Sequence, residues 1–297
     1  MRTKFSWSKM RFKKLLKKLI PGCVLNFYRK VNMSDYKIKY LEEEIKNRWL
    51  NERAEESKNQ KENFRRKEFK IFSQTGEDGV IDYIFKKIGV KNKKFVEIGI
   101  EDGRECNTAN LSLNFGWSGL LIEANKSDAE KAKKYYLGKP VKVINSFVKK
   151  ENINEILKRE NILGEIDLLS IDIDGNDYWI WETINEISPR VVIVEYNSTL
   201  RGRDITIKYN PAFSRFTKEK TGYYYGTSLS ALTKLAEKKG YALVACNSLG
   251  FNSFFVKKSE LKGLKKLSPE EADYKGISDE EVKKRFEKIK HLPFQKN

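Results

Sequence analysis

The sequence predicts an α/β protein: a mostly parallel, doubly wound sheet with helices on both faces. Two observations carry that expectation. Five short apolar runs, centred near Val96, Leu121, Val143, Leu169 and Val192, alternate with stretches of helical periodicity, the pattern of repeated βαβ units. The first run, Phe95-Val96-Glu97-Ile98, leads into a turn crowded with glycine and acid, Gly99-Ile100-Glu101-Asp102-Gly103, and then into a helix. An open α/β sheet builds its ligand site there, beyond the carboxyl end of a strand.

In chain order, residues 1–70 read as a basic extension and linker. Phe12, Leu15, Leu16, Leu19 and Ile20 share one helical stripe, lysines fill the other face, and Pro21-Gly22 ends the helix. Such a helix suits an anionic membrane surface, and docking on the folded domain is its alternative. Residues 35–56 look helical without sustained heptads, and 57–70 read as linker. The folded domain, 71–260, opens with a capping segment, Ser73 to Gly79, and a helix bearing Val80, Ile81, Ile84 and Phe85. Strands at 119–123, 141–146, 166–172 and 191–195 then alternate with helices at 106–115, 126–136, 152–160 and 176–185. Residues 196–224 are irregular and aromatic, too long for a routine connection, which suggests a functional lid. A helix at 227–239 and strands at 241–246 and 252–256 close the sheet. Residues 261–297 form a charged tail with one helix at 269–290.

The acidic turn is wrong for a pyrophosphate, because Glu101 and Asp102 would repel phosphate. It suits a cationic or amine-bearing ligand. Glu123 ends the second strand 20 residues beyond Gly103, the spacing of a ribose-binding carboxylate. Asp172-Ile173-Asp174-Gly175-Asn176-Asp177 and Glu195-Tyr196-Asn197 follow the fourth and fifth strands, whose ends open onto the same edge. The sole histidine, His291, lies near the C-terminus, so an Asp or Glu is the expected base. Asp172, Asp174, Glu195 and Asn197 are the candidate catalytic residues. Asp172, Asp174 and Asn197 are also oxygen ligands of the kind magnesium takes, with plain turn chemistry as the alternative.

Several blocks, in order, carry a family resemblance. Ser73-Gln74 with Gly76-Glu77-Asp78-Gly79, Phe95 to Gly99, and Asp167 to Tyr178 resemble the FkbM-type methyltransferases. Gly226-Thr227-Ser228-Leu229, Gly240-Tyr241 and Asn252-Ser253-Phe254-Phe255-Val256 are similar to segments of a branch often encoded with surface-polysaccharide genes. The resemblance spans residues 70–258. It implies a class I methyltransferase (Rossmann-like) fold, S-adenosylmethionine as cofactor, and O-methylation of a sugar hydroxyl in a glycan or sugar-nucleotide precursor. By the same resemblance Glu97, Gly99 and Gly103 line the methionine end and Glu123 binds the ribose, with Glu101, Ala124 and Asn125 also expected among the cofactor-binding residues. Ser146 and Phe147 border the adenine, and Asp172 faces the sulfonium. Gln74, like Glu77 and Asp78, either caps a helix or reaches the cofactor, capping being preferred.

Composition narrows the rest. The net charge of the 297 residues is +18, and residues 1–70, with 21 Lys/Arg and 9 Asp/Glu, contribute +12 of it. An anionic membrane partner for residues 1–31 therefore fits better than a nucleic acid, which favours a basic stripe across the fold. The Asp/Asn-Pro-Pro-aromatic motif and a Pro-Cys dipeptide are both absent, so an RNA methyltransferase is the lesser alternative, alongside a non-catalytic membrane adaptor. Three scattered cysteines support neither a disulfide framework nor a zinc knuckle, and a reducing cytoplasm fits.

Overall fold

The computed structural model describes residues 64–216, 220–273 and 275–296. The expected amphipathic helix, the 35–56 helix and most of the linker lie outside the described residues. Order begins earlier than the linker boundary suggests. A 3₁₀ turn, Phe64–Lys67, buries the Phe64 ring edge-on against Tyr83 at 5.2 Å, and Glu68 accepts from both the amide and the hydroxyl of Ser248.

Five βα repeats follow, as the alternating pattern predicts. In order they are α1 (Glu77–Ile88), β1 (Lys94–Ile98), α2 (Ala109–Phe115), β2 (Ser118–Glu123) and α3 (Lys126–Tyr135), then β3 (Val141–Asn145), α4 (Ile153–Arg159), β4 (Gly164–Ile171), α5 (Asp177–Thr183) and β5 (Ile187–Glu195). A short β6 (Ile205–Ile207) precedes α6 (Leu229–Lys238), β7 (Tyr241–Cys246) and β8 (Asn252–Lys257). The main sheet has seven strands in the order β3-β2-β1-β4-β5-β8-β7, parallel except for β8. That order, with one late antiparallel strand slotted between β5 and β7, is the class I methyltransferase arrangement.

Strand side chains alternate between two cores, since successive residues of a strand face opposite sides. Val96, Ile98, Leu120, Ile122, Leu169, Ile171, Val192 and Val194 pack with α4, α5 and α6. Phe95, Leu121, Leu168, Val191 and Ile193 face α1, α2 and α3. Burial on both faces explains why these strands read as mostly apolar runs rather than strict alternation. Among the described residues no helix is long and apolar enough to cross a membrane, and Cys106 and Cys246 are buried free thiols.

The C-terminal residues depart from a single tail helix. Ser268 starts α7 (Pro269–Ala272) with a capping box, and Ser278 caps a separate α8 (Asp279–Ile289). Asp273, between them, is ion-paired to Arg201. The chain then forms β9 (Phe294–Lys296), antiparallel to β6. Leu200, Ile207, Tyr224 and Ile289 make a third small core beneath this pair. Residues 196–224 and the C-terminus thus fold together, and the stretch around His291 is tied down.

A buried charge network clamps the edge of the sheet opposite the acidic turns. Arg190, fully buried on β5, donates to Asp167 at 2.7 Å, to Glu260 at 3.0 Å and to the carbonyls of Ile88 and Gly89. Asp167 also accepts from the amides of Lys91, Asn92 and Lys93. We expect Arg190→Met to cost about 3 kcal/mol, the lower end for a broken buried pair, because Asp167 keeps three backbone donors. Hydrogen bonds from Lys91 and then Arg190 hold Glu260 down at about 2, below its ordinary 4.5. A depressed carboxylate adds stability above its unfolded value and loses it as pH falls through the folded one. The gap between wild type and variant in urea midpoint should therefore be full at pH 7 and narrow below pH 4. A gap constant down to pH 2 would contradict this.

Candidate active site

The carboxyl ends of β1, β2, β4 and β5 open onto a cavity of ≈ 1120 Å³. Its floor is the turn after β1. Gly99 has φ 81, and a Cβ there would lie 1.7 Å from the Asp172 carbonyl oxygen. The glycine is demanded by the neighbouring strand end, and it also lines the cavity. Glu101 and Asp174 also adopt left-handed φ, 49 and 56, uncommon for side-chain-bearing residues and found here on the two turns that edge the cavity.

The acids of the first two strands are already engaged. Glu97 is buried and accepts from the amides of Asn107 and Thr108 and from the Thr108 hydroxyl, which fixes the entry to α2. This explains why α2 starts at Ala109 and not at Cys106. Burial pushes its carboxyl up, against the pull of those bonds. Glu123 accepts from the amides of Ile100 and Glu101 through one oxygen and of Asn125 through the other, so it shapes the β1 turn as well as facing the cavity. Ala124, Ser146, a half-exposed Phe147 and an exposed Gln74 complete that half of the wall. Gln74's neighbours serve the loop and not the cavity. Asp78 accepts from the amides of Ile71, Phe72 and Ser73, and Glu77 from those of Thr75 and Gly76 and from Asn247 and Asn252.

Three expected site residues lie outside the cavity wall. Gly103 faces the ring of Tyr136, whose hydroxyl donates to its carbonyl. Asn125 caps α3 through Ser127 and Asp128. Asn197 spends its amide on the carbonyls of Tyr223 and Tyr225 and on the Thr199 amide, strapping the 196–224 segment to β5.

At the opposite half, Asp172, Asp177 and Glu195 bring one carboxylate oxygen each within 4.8 Å of one another. Asp177, not Asp174 or Asn197, therefore joins Asp172, a correction to the expected ligand set. The chain turns at Asp174, whose side chain swings outward to pair with Arg215. Asp177 returns at the first turn of α5 and accepts from the amides of Ile173 and Gly175. Two carboxylates at such a separation repel by about 3–4 kcal/mol at an effective dielectric of about 20. Burial, reinforced by the neighbouring acids, pushes Asp172 and Glu195 well above the ordinary carboxylate range. Burial, opposed by the two backbone bonds, moves Asp177 up to about 6.

The irregular segment supplies the outer wall. Phe213 packs on Gly175, where a Cβ would meet its ring at 2.3 Å. Arg215 donates to the Gly222 carbonyl and lies 3.7 Å from the Tyr225 ring centroid. Phe216 is two-thirds exposed at the same rim, and Phe251, in the β7–β8 turn just before Asn252, also lines the cavity. None of these residues carries a motif. The one available signal was the density of aromatics in 196–224.

The chain matches no protein-family model and none of the curated proteins compared with it. It aligns with solved structures. The N-terminal domain of EvdMO1 with SAH bound shares 12% identity over 71% of this chain and 95% of that one, with a TM-score of 0.42. A SAM-dependent methyltransferase from Aquifex aeolicus shares 16% over 60% and 89%, at 0.36. An O-methyltransferase from Bacillus cereus in complex with SAH shares 16% over 59% and 76%, at 0.38. Likenesses this weak leave the fold assignment resting on the strand order itself.

Proposed function

We propose that this chain is an S-adenosylmethionine-dependent O-methyltransferase of the FkbM type, acting on a hydroxyl of a sugar in a surface glycan or its precursor. The observation that carries this reading is the division of one cavity into two unlike halves. Glu123 faces the half bounded by Ser146 and Phe147, and the half-buried Asp172 with the buried Glu195 faces the other. The first half fits the adenosyl group: a carboxylate accepts from a vicinal diol, and apolar Ile100 and Phe147 flank room for a planar base. The acid-rich turn suits a sulfonium and an ammonium. When bound, the cofactor supplies an electrophilic methyl carbon, so this chain's residues need only orient the acceptor and take its proton. Phe213, Phe216 and Phe251 offer aromatic faces to a sugar ring at the open rim.

Titration calorimetry with S-adenosylmethionine, and separately with NAD, tests the cofactor. We expect binding of the former, weakened about 10–100-fold by Glu123→Ala as a charge-assisted contact is lost. Binding of NAD alone would sink the proposal. Release of S-adenosylhomocysteine with a panel of sugar nucleotides and oligosaccharides then tests the acceptor.

We place the protein in the cytoplasm, held at the inner membrane face by residues 1–31. Their lysine-faced helical stripe supports this. Deleting them should release the protein from vesicles containing anionic lipid while a soluble acceptor is still methylated. Unchanged vesicle binding would refute the tether.

A further inference from the structure

Among the described residues, the acceptor half of the cavity presents oxygen acceptors without matching donors. Asp172, Asp177 and Glu195 already converge within 4.8 Å. Glu195 is 6% exposed, and its Oε2 has no hydrogen-bond partner. Two amide oxygens in the same wall share that condition: Asn176 and Asn252 are 7% and 3% exposed, and each Oδ1 is buried and unpartnered.

The orientation of these two amides is settled by chemistry. Asn252 Nδ2 donates to Glu77 Oε1 and Asn176 Nδ2 donates to the Asn210 carbonyl, and both partners can only accept. Flipping either amide would set oxygen against oxygen. The carbonyl oxygens are therefore left without donors by construction. Asn252 is the direct cross-strand partner of Glu195, and Asn176 immediately precedes Asp177, so both orphan oxygens belong to the elements that carry the acids.

We propose that Asp172, Asp177 and Glu195 form a binding site for a hard divalent cation, Mg²⁺ or Mn²⁺, in the acceptor half of the cavity. Buried acceptors cost stability unless satisfied, and carboxylates gathered, among the described residues, without an Arg or Lys between them are satisfied best by a metal ion. Arg215, the guanidinium on this side of the wall, is held by Asp174 and the Gly222 carbonyl. An oxygen-only set with no His or Cys selects magnesium or manganese over zinc. A single ammonium would neutralise only one of the three acids. A bound cation would polarise an acceptor hydroxyl brought beside it. The site stands on these residues alone and does not depend on the methyl-transfer reading.

The test is titration of Mn²⁺ into the full-length protein without any cofactor. The free-ion electron paramagnetic resonance signal reports binding, and Mg²⁺ serves as competitor. We expect one Mn²⁺ per chain, displaced by Mg²⁺. Affinity should fall about tenfold or more in Glu195→Gln and in Asp172→Asn, and stay unchanged in the surface control Glu130→Gln. Circular dichroism and S-adenosylmethionine titration of the same samples show whether the variants are folded. Failure of wild type to bleach the signal at millimolar protein would overturn the site. So would folded variants that bind Mn²⁺ as wild type does. If Mn²⁺ binds and S-adenosylmethionine does not, the cation site stands and the cofactor proposal falls.

Discussion

Glu195→Gln is expected to lower turnover about a thousandfold, within the range for a proton-transfer group, while S-adenosylmethionine affinity changes less than about twofold. Glu195 ends β5, and among the described residues its buried carboxylate meets no donor at Oε2. Gln keeps the size and removes the charge, so the cavity survives and the chemistry does not. Asp174→Asn makes the informative comparison. Its carboxylate points outward to Arg215, and Arg215 keeps Gly222 and Tyr225 when Asp174 is neutralised. Turnover should therefore fall less than about threefold, the scale of an exposed ion pair. Steady-state kinetics with a fixed acceptor, beside calorimetry, reads both. Equal losses in the two variants would return Asp174 to the catalytic set.

The pH profile separates the roles Glu195 could play. Burial and the adjoining acids raise its carboxyl well above the ordinary range, so it is ionised only as pH rises. Wild-type turnover should climb with pH along a limb that Glu195→Gln lacks. A limb that stays fixed in saturating Mg²⁺ assigns direct proton acceptance. A limb that moves to lower pH with added Mg²⁺ assigns cation binding, because the ion binds the deprotonated carboxylate.

These expectations show where sequence reasoning reached and where it stopped. The sheet was legible because β1, β4 and β5 are buried on both faces and carry mostly apolar side chains, their few polar residues being paired or hydrogen-bonded. Leu168-Leu169 and Val191 to Val194 admit no other economical assignment. The site was legible to the level of strand ends, and Glu97, Glu123, Asp172 and Glu195 all line the cavity. Which acids converge was not legible. Asp172 and Asp174 look like same-side neighbours in an extended chain, but the left-handed turn at Asp174 reverses the backbone and substitutes Asp177. An acid in a helix's first turn that accepts from the preceding loop was the signal available, and it reads as ordinary capping. Asn197 lies outside the cavity wall for the opposite reason. Its amide found three backbone partners in an irregular segment whose path no periodicity foretells. Arg215 and Phe213 lie in the same irregular segment, Phe213 packing on the small core that Phe294 of β9 also joins.

Gly99→Ala is expected to destabilise the protein by about 4 kcal/mol, at the exceptional end for one substitution. Two costs add there. The φ of 81 strains any residue with a Cβ, and that Cβ would fall 1.7 Å from the Asp172 carbonyl oxygen and 2.7 Å from its carbon. Backbone is on both sides, so relief requires β1 and β4 to part. Gly116→Ala separates the two costs. Gly116 caps α2 with φ 66, but a Cβ there meets nothing within 4 Å. Only the conformational cost remains, about 1 kcal/mol. Urea unfolding of the two variants at pH 7 measures the difference, and equal losses would show that β4 yields to the added methyl at little cost. The consequence reaches the chemistry, because the residue that must move is Asp172. Where Gly99→Ala remains folded, Mn²⁺ affinity should fall with stability, whereas Gly116→Ala should leave it intact. The turn after β1 thus acts on the acceptor half through the backbone of the neighbouring strand, with no side chain of its own.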